Sequence, residues 1–211
     1  MSAAEGGFEL AIFDFDGTLA DTFPLFVPLT NRLAARHGFR PIDPAEADAL
    51  RGLDSRELMK RLGIRPWQMP RIAADYRAMV EEPGTAVPLF EGVPAVLESL
   101  AAAGCRLAML TSNTQPVVER ALGPVAARFE SFDCGVSLFG KGRRLRRLVR
   151  AAGVDPRCAA YIGDELRDLA GARDAGVAFG GVAWGFARAD VLRAAGPDRW
   201  FERVDELATL A

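Results

Sequence analysis

The sequence predicts an α/β fold: a Rossmann-like parallel sheet with helices on both faces, plus a small all-helical cap inserted after the first strand. Three observations support this prediction. The run Leu10–Phe13 is apolar at every position, as in a strand buried on both faces. Between residues 21 and 87, helical spacing replaces strand-like runs. From Leu89 onward, apolar runs alternate with helical patterns, which is typical of parallel strands joined by helices.

These patterns divide the 211-residue chain into an α/β core, residues 1–20 and 88–211, and a helical cap, residues 21–87. A chain of this length can bury one sizeable core and a smaller inserted unit. The cap sequence predicts four short helices. In the last of them, helical spacing predicts five buried side chains, namely Trp67, Ile72, Tyr76, Met79 and Val80.

Within the core, the short apolar runs predict strands over residues 10–13, 106–110, 132–136, 159–162 and 177–184. The intervening patterns predict helices over residues 92–103, 115–122, 141–152 and 165–175. Ligands of open parallel sheets bind at the carboxyl ends of the strands. Polar residues that follow these strands are therefore the candidates for a functional site.

Composition argues against several classes of partner. The formal net charge of −2 gives no electrostatic reason to bind nucleic acid or an anionic membrane. No apolar run approaches a membrane-spanning length, and the first residues lack the basic start and apolar stretch of a secretory signal. The three cysteines, Cys105, Cys134 and Cys158, are widely spaced and are expected to be buried, reduced thiols. We therefore expect a cytoplasmic protein.

Five arginines form a basic run between residues 143 and 150. Leu145, Leu148 and Val149 are spaced to bury one face of a helix, which leaves the arginines on its solvated face. We prefer this interpretation to a nucleic-acid patch. The single histidine, His37, leaves no His-based triad or zinc cluster to consider.

Two acidic residues, Asp14 and Asp16, follow the first apolar run. Side chains two positions apart on a strand point the same way, so both carboxylates can reach one site. Gly17 permits a sharp turn, and the hydroxyl of Thr18 can stabilise it. Paired carboxylates are costly to desolvate unless a cation or a substrate compensates them. The pair is therefore the first indication of catalytic or metal-binding function.

The stretch from Asp14 to Leu19, Asp-Phe-Asp-Gly-Thr-Leu, resembles the first motif of the haloacid dehalogenase-like phosphohydrolases. The resemblance implies that Asp14 is the nucleophile and Asp16 the general acid and base. A calcium-binding EF-hand loop does not fit, because it needs Gly at its sixth position and Glu at its twelfth. Here Gly17 is fourth and Leu25 is twelfth. The stretch Ala183–Phe186 is similar to the family's phosphoglycolate phosphatase-like branch, which carries a helical cap.

The stretch Thr111-Ser112-Asn113 follows a predicted strand and precedes a predicted helix. A hydroxyl and free backbone N–H groups at such a point can hold a phosphate, although Thr and Asn are also common helix caps. The stretch resembles the family's second motif, which implies that Thr111 binds phosphate. We include Gly17, Ser112 and Asn113 in the predicted phosphate site.

Lys141 opens a predicted helix and is one of two lysines in a chain that otherwise uses arginine. A cation there can neutralise a phosphoryl group and an attacking carboxylate, whereas the alternative is a solvated lysine. The family pattern has Lys followed by Pro, but Gly142 follows here. Glycine does not fix the backbone angle as proline would, so the approach of Lys141 is less constrained. Lys141 is the predicted catalytic and phosphate-binding cation.

Asp164 ends the apolar run of the fourth predicted strand and matches the family's fourth motif, in which a second acid follows after a few residues. Asp164 can join Asp14 and the main-chain carbonyl of Asp16 around a hard cation. Carboxylate ligands beside a phosphate suit Mg²⁺. The second acid, Asp168, lies one helical turn further on and faces the same way. It is expected either to bind the metal through water or to orient Lys141.

These motifs together predict a Mg²⁺-dependent phosphomonoester hydrolase. Its expected substrate is a small phosphorylated metabolite, such as phosphoglycolate or a sugar phosphate, and its expected intermediate an aspartyl-phosphate. In the cap, Arg51 and Arg56 are candidates to pair with a substrate carboxylate, although exposed arginines are common. We expect no nucleic-acid or membrane partner, and a monomer or weak homodimer.

Three alternatives stay open at this point. A haloacid dehalogenase would use Asp14 to attack carbon without a metal, but it would not need acids at positions 16 and 164. A sugar-phosphate mutase would share every core residue and would differ in the cap. A binding or regulatory domain that keeps the fold fits poorly, because no catalytic position of the family pattern is missing from the sequence.

Overall fold

The computed structural model describes residues 7–51, 53, 55–82, 84–136 and 140–211. Residues 1–6 of the predicted core segment lie outside this description. The described chain forms one parallel sheet with the strand order β3-β2-β1-β4-β5-β6. The strands are β1 Leu10–Phe13, β2 Arg106–Leu110, β3 Phe129–Asp133, β4 Ala159–Gly163, β5 Ala178–Val182 and β6 Arg199–Phe201.

The register of the sheet aligns the ends of its three central strands. Phe13, the last residue of β1, lies beside Met109 in β2 and Ile162 in β4. The residues that follow these three strands therefore emerge at the same edge of the sheet, its carboxyl end. This is the edge at which open parallel sheets bind their ligands.

Two apolar clusters lie on opposite faces of the sheet, and β1 contributes to both. Ala11 and Phe13 point into one cluster, whereas Leu10 and Ile12 point into the other. This alternation is that of a strand covered on both sides. The helices of the core are α5 Val93–Ala102, α6 Gln115–Leu122, α7 Lys141–Ala152, α8 Leu166–Ala175 and α9 Ala189–Ala194. The predicted fold class is confirmed.

Between β1 and α5 the described chain is helical, as the sequence predicts. The helices are α1 Phe23–His37, α2 Ala47–Leu50, α3 Ser55–Leu62 and α4 Met69–Glu81. Helices α1 and α4 pack together, and the His37 ring lies 2.8 Å from Asp75 across their interface. We refer to this helical segment, residues 21–87, as the cap. Its division from the core as a separate domain stays a prediction.

Two of the five side chains predicted to be buried in the last cap helix differ from the prediction, Trp67 and Tyr76. Trp67 is 71% exposed, whereas Ile72, Met79 and Val80 are buried and Tyr76 is partly buried. Trp67 lies in a single 3-10 turn, Pro66–Gln68, that precedes α4, so the helical spacing used in the prediction does not apply to it.

The third strand also begins and ends earlier than predicted. It spans Phe129–Asp133 instead of residues 132–136. Gly135 adopts a φ of +70°, a left-handed conformation that ends the extended run. The N–H groups of Gly135 and Val136 then donate to the carbonyls of Asn113 and Thr111, at 2.8 and 3.0 Å. The residues predicted as strand thus support the loop that follows β2.

The three cysteines are free thiols that differ in burial. Cys105 is buried and free, and burial raises the pKa of its thiol to about 11. Cys134 and Cys158 are also free but only partly buried, so the prediction of full burial is wrong for both.

Among the described helices, none combines the length and the hydropathy needed to cross a bilayer.

Candidate active site

Three neighbouring strands bring the predicted residues together. Asp14 follows β1, Thr111 follows β2, and Asp164 follows the last apolar residues of β4. All three side chains are buried. The backbone N–H of Asp14 donates to the carbonyl of Ile162 at 2.9 Å. The pairing of β1 with β4 therefore extends to the residue that carries the first carboxylate. Polar groups from distant parts of the sequence therefore share one buried site at the predicted edge.

Lys141 enters this site from the first residue of α7. Its Nζ donates to Asp14 Oδ2 at 2.5 Å, to Asp168 Oδ1 at 2.6 Å and to the hydroxyl of Tyr161 at 2.8 Å. Burial lowers the pKa of Lys141, but the charges of Asp14 and Asp168 outweigh it, so that the pKa lies above its ordinary value. The ammonium group therefore stays charged at neutral pH.

Close packing of α7 against α8 sets the position of Lys141. A Cβ added at Gly171 in α8 would lie 3.1 Å from the Cβ of Lys141. A Cβ added at Gly142 would lie 2.1 Å from Asp174 Oδ2 and 2.8 Å from the Asp174 Cβ. Position 142 thus has no room for the proline of the family pattern unless Asp174 moves. Contact between the helices replaces the constraint that proline would supply.

Asp164 is held on two sides. The hydroxyl of Thr18 donates to its Oδ1 at 2.9 Å, and the backbone N–H of Phe186 donates to its Oδ2 at 2.7 Å. The turn after β1 packs directly against this carboxylate, because a Cβ added at Gly17 would lie 2.2 Å from Asp164 Oδ2. Gly17 has a φ of +74°, so glycine suits both its backbone conformation and its surroundings.

Burial leaves several of these carboxyl groups costly to ionise. It raises the pKa of Asp14 to about 7, although the charge of Lys141 opposes the shift. The pKa of Asp164 lies well above its ordinary value, because of burial and then of the neighbouring Glu165, Asp168 and Asp14. The pKa of Asp168 is lowered: burial opposes ionisation, but the charges of Lys141 and Arg167 outweigh it. A further cation would therefore stabilise the ionised site.

The acidic cluster fits such a cation. Among the described residues, carboxylate oxygens of Asp14, Asp164 and Asp168 lie within 4.8 Å of one another, and all three residues are buried. Oxygen donors of this kind are those that hard divalent cations such as Mg²⁺ prefer. Asp168 already contacts Lys141, whereas Asp14 and Asp164 come from the two strand ends that the sequence predicts as ligand positions.

Asp16 lies slightly apart, beside the loop after β2. Asn113 Nδ2 donates to both of its carboxylate oxygens, at 3.2 and 3.3 Å. Burial raises the pKa of Asp16, and the hydrogen bond from Asn113 opposes this shift. The backbone N–H of Asn113 also donates to the Thr111 hydroxyl at 3.1 Å. Asn113, predicted as a phosphate contact, therefore links Thr111 to Asp16. Ser112, also predicted as a phosphate contact, is partly buried.

Arg167 is a charged member of the site that is not among the residues predicted from the motifs. Its Nε donates to Glu165 at 2.5 Å, while its positive charge favours the ionised forms of Asp14 and Asp168. Its Nη1 is buried and has no hydrogen-bond partner in the described part of the chain. A signal was present in the sequence: a cation in the first turn of a helix opposes the helix dipole unless acids surround it.

The two cap arginines have different surroundings. Arg51 directs Nη2 to the carbonyl of Gly185 at 2.6 Å and Nε to the carbonyl of Phe186 at 3.0 Å. It therefore reaches the core loop that holds Asp164. Arg56 lies exposed on α3.

Comparison with known proteins identifies the family of this chain. Residues 11–182 match the haloacid dehalogenase-like hydrolase family. A phosphoglycolate phosphatase of Synechococcus elongatus is 35% identical over 93% of each chain. An N-acetylmuramic acid 6-phosphate phosphatase of Pseudomonas aeruginosa is 29% identical, over 83% of this chain and 81% of its own length. A crystal structure from Lactobacillus plantarum has the same fold, with a TM-score of 0.82, 23% identity and coverage of 98% and 100%. The protein belongs to the haloacid dehalogenase-like hydrolase family, in its phosphoglycolate phosphatase-like branch.

Proposed function

We propose that this protein, a phosphatase of its family, is a Mg²⁺-dependent hydrolase of small phosphomonoesters that works through an aspartyl-phosphate. One observation supports this most directly: Lys141 Nζ lies 2.5 Å from Asp14 Oδ2 inside a buried cluster of acids at the ends of β1 and β4. A nucleophilic carboxylate, a fixed cation and a group of hard oxygen ligands are the parts that phosphoryl transfer needs.

In the first half of the reaction, Asp14 attacks phosphorus in line with the leaving oxygen. A bond forms between a carboxylate oxygen and phosphorus while the ester P–O bond breaks. Asp16 gives its proton to the leaving alcohol; its raised pKa favours the protonated form that this role requires. Lys141 and the hydroxyl of Thr111 stabilise the negative charge on the transferring group.

In the second half, water attacks the phosphorus of the aspartyl-phosphate. Asp16, now ionised, takes a proton from that water, and Asp14 leaves as a carboxylate together with inorganic phosphate. Bound Mg²⁺, held by Asp14, Asp164 and the main-chain carbonyl of Asp16, would supply further charge neutralisation at the phosphoryl oxygens. Asp168 keeps Lys141 oriented toward Asp14 through its 2.6 Å contact.

The cap is the proposed source of substrate selectivity and of protection from water. The Synechococcus relative is named as a phosphoglycolate phosphatase, so we propose a substrate with a carboxylate near its phosphoryl group. Arg51 and Arg56 are the proposed partners of that carboxylate. Since Nε and Nη2 of Arg51 face core carbonyls, its substrate contact would use Nη1, which lies 3.4 Å from the exposed Asp48.

Two further proposals concern the setting of the enzyme. The three cysteines are free, which fits the reducing environment of the cytoplasm. We propose a monomer or weak homodimer there.

The proposal is tested by phosphate release from a panel of small phosphate esters that includes phosphoglycolate. We expect hydrolysis that requires Mg²⁺, stops with EDTA and is lost in Asp164→Asn. Asp205→Asn, which changes an exposed acid of the 3-10 segment Val204–Leu210, is the matched control and should retain activity. Hydrolysis that persists in EDTA would contradict the metal dependence. Phosphate transfer to a second hydroxyl would favour a mutase.

A further inference from the structure

Arg51 makes an unusually complete connection between the cap and the core. Its guanidinium donates to two successive carbonyls, those of Gly185 and Phe186, at 2.6 and 3.0 Å. Its own carbonyl accepts a hydrogen bond from the N–H of Arg188 at 3.1 Å. Three hydrogen bonds of one cap residue, two donated and one accepted, therefore fix a four-residue core loop, residues 185–188.

Aromatic contacts strengthen the same connection. The Phe186 ring packs edge-on against Phe23 and Phe26 of α1, with centroid distances of 5.6 and 5.7 Å. The guanidinium of Arg51 stacks over the Phe23 ring at 4.8 Å. The loop is thus clamped by two separate elements of the cap, α1 and the residue after α2.

The clamped loop in turn contacts a proposed metal ligand. The N–H of Phe186 donates to Asp164 Oδ2 at 2.7 Å, and a Cβ added at Gly185 would lie 2.1 Å from the Cβ of Asp164. The carbonyl and the N–H of the same residue, Phe186, therefore connect Arg51 to Asp164.

We propose that Arg51 is a positioning residue for Asp164: by fixing loop 185–188 it keeps the Phe186 N–H on the carboxylate and so prepares the site for the divalent cation. The role of Asp164 rests on the proposed function. Arginine suits the task because its planar fork can reach two successive carbonyls at once, whereas lysine offers a single point charge. Cap contact and metal binding are then coupled through one loop.

The test is Mg²⁺ binding measured by titration calorimetry without substrate, on the full chain. Arg51→Ala should weaken Mg²⁺ binding about tenfold, the effect of loosening one hydrogen bond to a charged group. Arg51→Lys should weaken it nearly as much, because the paired contact is lost. Arg71→Ala, which removes an exposed arginine of α4, should leave the affinity unchanged.

Wild-type Mg²⁺ affinity in folded Arg51→Ala or Arg51→Lys would overturn the inference. If Arg51 acted only on the substrate, KM would rise while Mg²⁺ affinity stayed the same, which also overturns it. Should Arg51→Ala fail to fold, the lysine variant decides alone. The test does not depend on turnover: weaker Mg²⁺ binding in the variants of a protein without phosphatase activity would support the coupling and refute the proposed function.

Discussion

Lys141 Nζ and Asp14 Oδ2 lie 2.5 Å apart, although 127 positions separate the two residues in the chain. Both side chains are 3% exposed, so water screens their attraction very little. The same ammonium group contacts Asp168, which makes one cation the partner of two buried carboxylates. Removal of Lys141 would leave the two carboxylates buried without the cation that compensates their charge.

The first prediction concerns this lysine. Lys141→Met should abolish phosphate release and lower the free energy of unfolding by about 3–5 kcal/mol, because Asp14 and Asp168 lose their shared cation. Urea unfolding at pH 8, above the pKa of about 7 that burial gives Asp14, measures the stability effect. Arg143→Met, at an exposed position two residues further along α7, should change stability by less than about 0.5 kcal/mol. Equal effects of the two changes would contradict the buried network.

The second prediction concerns the turn after β1. In Gly17→Ala, the added Cβ would meet Asp164 Oδ2 at 2.2 Å and the Phe186 ring at 2.4 Å, so Mg²⁺ binding should be lost. Gly153→Ala is a matched control: its φ is +69°, close to the +74° of Gly17, but among the described residues no atom beyond its immediate chain surroundings lies within 4 Å of the new Cβ. The control variant should keep its Mg²⁺ affinity, and its free energy of unfolding should fall by only about 1 kcal/mol, because alanine is strained at a positive φ.

Calorimetric titration with Mg²⁺ and urea unfolding compare these two alanine variants. Unchanged Mg²⁺ affinity in Gly17→Ala would show that the turn does not position Asp164. A loss of affinity in Gly153→Ala would show that strain remote from the site has the same effect, and would remove the argument from close contact.

The third prediction concerns pH. Burial raises the pKa of Asp14 from its ordinary 3.8 to about 7, so the folded state binds a proton that the unfolded state releases. This stabilisation is present at low pH and is lost as the pH rises toward 7. The pKa of Asp168 is lowered, so its ionised form stabilises the folded state. This contribution to stability is lost only when the pH falls below the usual range of an aspartate pKa.

Because Mg²⁺ needs ionised ligands, its addition should raise Tm more at pH 8 than at pH 5. Thermal unfolding with Mg²⁺, or with NaCl at equal ionic strength, measures the difference. An equal increase of Tm at the two pH values would contradict the assignment of Asp14 to the metal site. An equal increase with NaCl would attribute the effect to general screening.

Much of the architecture could be predicted from the sequence because its signals are local. The boundaries of β1, β2 and α6 follow directly from apolar runs and turn residues. The predicted third strand differs from the observed one because Gly135, at a φ of +70°, ends the extended segment before the apolar Val136. The predicted burial of Trp67 is wrong because a 3-10 turn does not continue the periodicity of the α-helix that follows it.

The site was partly predictable for the same reason. Asp14, Thr111 and Asp164 each follow an apolar run, and the parallel topology brings such positions together. The contacts of Arg51 with loop 185–188 and the charge of Arg167 beside Asp14 depend on tertiary packing. No periodicity or local motif specifies which loop a cap arginine will meet, so these relationships needed the structure.

The most direct test of the central claim is to trap the covalent intermediate. In Asp16→Asn, an activated aryl phosphate needs no acid to leave, but the water that splits the intermediate lacks its base. Acid quenching followed by peptide mass spectrometry should find one phosphoryl group on Asp14, and none in the Asp14→Asn, Asp16→Asn double variant. A phosphoryl group on another residue, or aryl phosphate hydrolysis that continues in the double variant, would contradict Asp14 as the nucleophile.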